Sequence, residues 1–125
     1  MPVLPYSAPL DEMKFALETV YALDETALAV LEEASKFASG VLSPINQPND
    51  RQPAQHHSDY SVTTPSGMKE AYQQFCENGW NGAGFSTEIG GMGLSRPMSA
   101  LIAEMWHGAH MSFGLAPMLT QSAIE

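Results

Sequence analysis

Three features of the 125-residue chain predict an all-α fold. Apolar residues recur at three- and four-residue intervals in four separate stretches, the period of one helix face. Nothing alternates with period two for long enough to require a strand, so no sheet beyond two short strands is expected. Prolines and polar caps stand where helices would begin, and a glycine stands where one would end.

Ser7 and Pro9 open the first helix, near residues 10–22, with Leu10, Met13, Leu17 and Val20 on one face. Asp24 or Thr26 caps the second, near 25–42, whose stripe of Leu28, Leu31, Ala34, Ala38 and Val41 stops before Pro44. From Ser43 to Ser66 the chain is polar and holds Pro44, Pro48, Pro53 and Pro65, which predicts a long irregular connection. Such a loop is unusual in a small domain and often docks on another part of the molecule. Thr64-Pro65, a hydroxyl cap followed by proline, starts the third helix, near 66–78. Its inner face is Met68, Ala71, Tyr72 and Phe75, and Gly79 stops it. Ser95 and Pro97 open the fourth, near 97–113, with Leu101, Met105 and Ala109 in register and Trp106 alongside. A fifth begins near Pro117 or Thr120, and the chain ends at Ile124-Glu125 without a C-cap glycine, a proline or a basic last turn. That ending is expected of a truncated frame or a fragment more than of a natural terminus.

Six of the ten glycines fall between Gly79 and Gly93. Glycine accepts positive φ and lets other groups approach the backbone closely, so the run predicts a sharply turning loop with something packed against it. The spacing does not suit phosphate. Neither Gly82-Ala83-Gly84 nor Gly91-Met92-Gly93 completes G-x-G-x-x-G, no P-loop lysine follows, and a helix rather than a strand precedes.

A hydrophobic content of 44% suits one globular domain with one core. Fourteen acids against five bases give a net charge of −9, which argues against nucleic acid or an anionic membrane as partner. Seven acids and only two lysines lie in the first forty residues, the composition of a solvated acidic helix face. Cys76 is the single cysteine, so no internal disulfide forms, and beside Phe75 it reads as a small buried hydrophobe. No basic-then-apolar leader stands at the N-terminus, and no apolar run reaches the roughly 18 residues of a membrane span. A cytoplasmic location is expected.

Candidate chemistry is sparse. Glu104, His107 and His110 stand at i, i+3 and i+6, but di-iron bundles need Glu-x-x-His on two helices plus two more glutamates. His56-His57 beside Asp59 has no further ligand at fixed spacing, and no G-x-S-x-G elbow is present. No metal site and no catalytic residue is assigned. Eight methionines are many for this length, and five (Met92, Met98, Met105, Met111, Met118) lie in the last third. They suit either plain core packing or, with Phe113, Leu115, Pro117 and Leu119, one wall of an acyl-chain tunnel.

Eight segments occur in a telling order. They are Tyr6 to Phe15 (YSAPLDEMKF), Val30 to Ala38 (VLEEASKFA), Asn49-Asp50-Arg51, Thr64 to Tyr72 (TPSGMKEAY) and Asn78-Gly79-Trp80. Glu88 to Leu94 (EIGGMGL), Glu104-Met105-Trp106 and Pro117 to Thr120 (PMLT) follow. Together, over nearly the whole chain, they resemble the N-terminal helical domain of acyl-CoA dehydrogenases, closest to the long bacterial branch with an extra N-terminal helix. The chain departs from that pattern at Ile89, Met92, Ser95 and His110, where the family more often has an aromatic residue, glutamine, proline and asparagine.

The resemblance implies an extension helix in residues 1–23 and the family's N-terminal domain in 24–125, incomplete at its end. It implies an FAD enzyme that oxidises an acyl-CoA to the trans-2-enoyl thioester and passes electrons to an electron-transferring flavoprotein, as a homo-oligomer. The family's glutamate base and much of its flavin grip lie in later domains, so Glu88 and Glu104 are not that base and this chain alone is expected to be inactive and free of FAD. It also implies that Phe113, Leu115 and Leu119 face the acyl tunnel, although packing against this domain's own helices remains open. Gly90, Gly91 and Gly93 are expected to be structural glycines of the loop. The competing reading is a non-catalytic helical interaction domain or a truncated paralogue.

Overall fold

The computed structural model describes residues 4–20 and 23–124. Six α-helices are ordered along the described chain: α1 (Leu10–Val20), α2 (Glu25–Phe37), α3 (Ser43–Arg51), α4 (Met68–Glu77), α5 (Arg96–Ala109) and α6 (Met111–Ile124). The only sheet among the described residues is a hairpin of two-residue strands, β1 (Gln55–His56) and β2 (Val62–Thr63), paired antiparallel. The fold is all-α, as the apolar spacing predicts.

Asp24, not Thr26, caps α2: its Oδ1 accepts the Ala27 N–H at 2.7 Å. The buried stripe Leu31, Ala34 and Phe37 then runs on without a break through one wide turn, Ala38–Leu42, into α3. In that turn the Ser43 N–H bonds to the Ala38 carbonyl, an i→i−5 contact. The widening corrects the sequence reading. Proline in a regular helix clashes with the carbonyl four residues back, and a π-type turn just before Pro44 gives its ring room. Residues 43–51 are therefore helix rather than irregular, even with Pro48 inside it. Tertiary contacts offset the lost bond: Ile45 packs on the core, Asn49 is buried, and Ser43 Oγ accepts the Tyr6 N–H at 2.9 Å.

The second half of the expected loop is the hairpin, whose tip places Tyr60 at φ 66 with its side chain exposed. Thr64-Pro65 does not start α4. Gly67 precedes the helix in the left-handed region at φ 79, and a Cβ there would come 2.9 Å from Ile45 Cγ2. Gly79 ends α4 as predicted, at φ 77.

α5 forms the centre of the domain, packed against α1, α2 and α6. Its buried Ile102, Met105, Trp106 and Ala109 meet an aromatic cluster. Phe37 lies edge-on to Trp106 at 5.3 Å between centroids, Phe75 to Phe113 at 5.4 Å, and Trp80 to Trp106 at 5.4 Å. Such pairs contribute about 0.5–1.5 kcal/mol each beyond simple burial. α1 adds Met13 and Leu17 to the same core, and Tyr6 packs so close to Gly108 that a Cβ there would sit 2.7 Å from its ring.

The fourth predicted helix, 97–113, is two elements. α5 stops at Ala109, His110 breaks the helix at φ −158 and ψ 92, and α6 starts at Met111, earlier than Pro117 or Thr120. Gly114 and Pro117 do not interrupt α6: both are buried, Gly114 against the His107 ring of α5.

Candidate functional site

The site builds outward from the end of α4. Gly79 turns the chain into a 3₁₀ turn, Trp80–Gly82, that drives Trp80 and then Ala83 into the core. A second turn, Thr87–Ile89, is capped by Ser86 Oγ accepting from Glu88 N–H at 3.2 Å. The loop then folds back over itself. Gly91 passes so close beneath Phe85 that a Cβ would overlap the Phe85 carbonyl. Gly90 and Gly93 lie at φ 86 and 68, a region that side chains adopt at a cost.

This folding engages the loop's amides. Gly90 N–H bonds to Thr87 O, Gly91 to Ser86 O, Met92 to Gly82 O, Gly93 to Phe85 O and Leu94 to Ala83 O, at 2.8–3.2 Å. A phosphate cradle needs several convergent free N–H groups, so these five cannot serve as one. The loop does not fit the pyrophosphate of a dinucleotide.

α6 lies beside the loop, tied to it by Gln121 Nε2–H donating to Asn81 O at 3.2 Å. Two clefts flank that contact. One of about 220 Å³ lies among Tyr72, Phe85, Gly90, Gly91, Pro117 and Gln121. The other, of about 490 Å³, is bounded by Trp80, Leu94, Ser99, Trp106 and Met118, with Arg96 at its side. Trp80 Nε1 and Ser99 Oγ are buried without a hydrogen-bond partner among the described residues.

The expected wall residues do not share a face. Phe113 is 1% exposed, its ring inside the aromatic cluster, whereas Leu115 and Leu119 are 44% and 69% exposed on the outer side of α6. Pro117, Thr120, Gln121 and Ile124 are the α6 residues that line the cleft beside the loop. Positions 113 and 115 lie about 200° apart around a helix, which separates them.

Glu104, His107 and His110 are likewise dispersed. Glu104 is exposed. His107 Nδ1–H donates to the Ala103 carbonyl at 2.7 Å. His110 is 2% exposed, 3.1 Å from the Asn49 amide through Nε2, and its Nδ1 accepts the Phe113 N–H at 3.3 Å. Burial pulls its pKa below the ordinary 6.5, against a smaller opposing pull from its backbone hydrogen bond. The His57 ring shares a hydrogen bond with Thr63 Oγ1 at 2.7 Å across the hairpin. Cys76 is half-buried beside Tyr72, and its charge, more than burial, holds the Tyr72 phenol above its ordinary value.

The His110–Asn49 pair is the feature that sequence reasoning misses. Asn49 falls in the stretch read as irregular, and the helix break that turns His110 inward has no glycine or proline at the position itself.

With this geometry in hand, residues 24–125, from the α2 cap onward, match the acyl-CoA dehydrogenase N-terminal domain. The chain belongs to the acyl-CoA dehydrogenase family. It is 35% identical over 135 aligned positions to the 3-methylmercaptopropionyl-CoA dehydrogenase of Ruegeria pomeroyi. That alignment takes in 98% of this chain and 23% of the relative, so the chain spans less than a quarter of the curated protein that it matches. In this member of the family, α1 precedes the matched domain yet shares its core. No helix among the described residues is long and apolar enough to cross a membrane.

Proposed function

We propose that the chain is the N-terminal helical part of an FAD-dependent acyl-CoA dehydrogenase, which desaturates an acyl-CoA between the α and β carbons. The observation that carries this reading is the family match over residues 24–125 together with a coenzyme A thioester dehydrogenase as relative. The chain is one layer of that enzyme and is not catalytic by itself.

FAD supplies the hydride acceptor in such a reaction, opposite a carboxylate base, in a site closed to water. The glycine loop's amides are engaged internally, which supports a flavin phosphate site outside this loop. What this chain contributes is shape. The loop and α6 form an apolar flank, and each methylene of an acyl chain buried there would contribute about 0.8 kcal/mol. The acceptor of the electrons is an electron-transferring flavoprotein, and the working enzyme is a homo-oligomer in the cytoplasm.

The test uses the native polypeptide, isolated without denaturation. Flavin absorbance that bleaches on adding an acyl-CoA, with the trans-2-enoyl thioester as product, is the expected result. A native polypeptide that carries no flavin and leaves acyl-CoA unchanged would overturn the reading in favour of a non-catalytic helical interaction domain. The 125-residue chain alone should be colourless, and dye reduction by it with acyl-CoA would refute its non-catalytic role.

A further inference from the structure

A single residue ends α5 with its backbone and starts α6 with its ring. The His110 N–H closes α5 on the Trp106 carbonyl at 2.9 Å, and its extended backbone, φ −158 and ψ 92, then leaves the helix. An N-cap residue has this kind of backbone and accepts a hydrogen bond from the second or third residue of its helix. Phe113 is the third residue of α6, and its N–H meets His110 Nδ1 at 3.3 Å. Histidine here does what serine, threonine, asparagine or aspartate ordinarily does.

The cap dictates the rest of the ring. With a lone pair on Nδ1, the neutral imidazole carries its hydrogen on Nε2 and needs an acceptor there. Nε2 lies 3.1 Å from the amide of Asn49 on α3, and Asn49 Oδ1 is buried with no partner among the described residues. Amide oxygen and nitrogen have nearly the same shape, so a half-turn of Asn49 gives Nε2–H its oxygen. Both side chains are almost wholly enclosed, so water does not compete for this bond.

We propose that the neutral His110–Asn49 pair is the positioning device of α6. It caps the helix and ties its first turn to α3. It thereby sets the gap between α6 and the glycine loop where Gln121 meets Asn81, about 16 Å further along the helix. That this gap receives an acyl chain rests on the function proposed above, whereas the placement of α6 does not. Loss of enzyme activity and loss of this device are therefore separate results.

Nuclear magnetic resonance of the ¹⁵N-labelled chain at neutral pH tests the proposal without any substitution. The His110 ring should be neutral and protonated on Nε2, and a ring protonated on Nδ1 or on both nitrogens overturns it. His110→Ala should lower the exchange protection of the Phe113 amide about fivefold and shift the Gln121 side-chain amide resonances. His110→Asn restores a capping oxygen, so it should hold Phe113 protection within about twofold of the parent and leave Gln121 in place. If the two variants behave alike, or if His110→Ala leaves Gln121 unshifted, His110 does not position α6. Should His110→Ala not fold, the protonation pattern of the unsubstituted ring and the His110→Asn comparison still decide.

Discussion

Replacing Phe113 by alanine removes a ring from the centre of the aromatic cluster. Phe113 is 1% exposed and lies 5.4 Å from Phe75, 6.5 Å from Phe37 and 6.4 Å from Tyr72, centroid to centroid. Phe37 on α2 and the Tyr72 and Phe75 pair on α4 are each held by their own helix, so the space is not refilled and the cavity persists. Burial and cavity together put the loss at about 3–5 kcal/mol. With a urea dependence of about 2 kcal/mol per molar for a small domain, the unfolding midpoint should fall by about 1.5–2.5 M. Leu119→Ala on the same helix is the control. That side chain is 69% exposed, and its loss should change stability by less than about 0.5 kcal/mol. Urea titration followed by far-ultraviolet circular dichroism reads both. Equal midpoints for the two variants would refute the inward placement of Phe113 and return it to the tunnel wall.

Gly91→Ala should destabilise by about 3 kcal/mol, because its Cβ would meet the Phe85 carbonyl, which is backbone and cannot swing aside. At Gly90, where only φ 86 opposes a side chain, alanine should cost about 1 kcal/mol, and thermal melts of the two variants compare them. Asp24→Ala should cost about 1 kcal/mol through loss of the α2 cap, while Thr26→Ala should leave the urea midpoint where it is. His110 contributes a pH dependence of definite sign. Its folded pKa lies below 6.5, so below that value the unfolded chain binds the proton more readily. The stability it contributes is complete above about pH 6.5 and is lost as the pH falls from there through the lowered folded value. Urea midpoints in the parent should therefore fall between about pH 7 and 5 more steeply than in His110→Asn, and equal slopes would contradict the burial-lowered pKa.

Helix periodicity and caps are local properties, which is why so much of the fold is legible in the chain. The centres of the stripes of α1, α2, α4 and α5, the Asp24 and Ser95 caps and the Gly79 stop appear where three- and four-residue spacing and capping chemistry put them, whereas Val20 and Tyr72, expected on inner faces, are exposed. The errors cluster where proline and glycine rules meet packing. Pro44 and Pro48 read as breakers, yet a wide turn and buried contacts keep α3 helical. Pro117 reads as a helix start, yet α6 begins at Met111 and runs through it.

The candidate site divides the same way. Its glycine-rich loop is evident in the sequence, because residues forced close to other backbone must lack a Cβ. That the loop's amides are engaged internally, and so cannot hold a phosphate, depends on which carbonyls the fold returns to them. The sequence by itself determined the helical class and the turn at Gly79 to Gly93, since both are written in spacing along the chain, and its motif segments carried the resemblance to the family. Only the tertiary structure decided that Phe113 faces inward, that Leu115 and Leu119 face out, and that His110 meets Asn49 across 61 residues. Those outcomes depend on how one helix is rotated and broken against its neighbours, a choice made by the packed core as a whole and carried by no single stretch of residues.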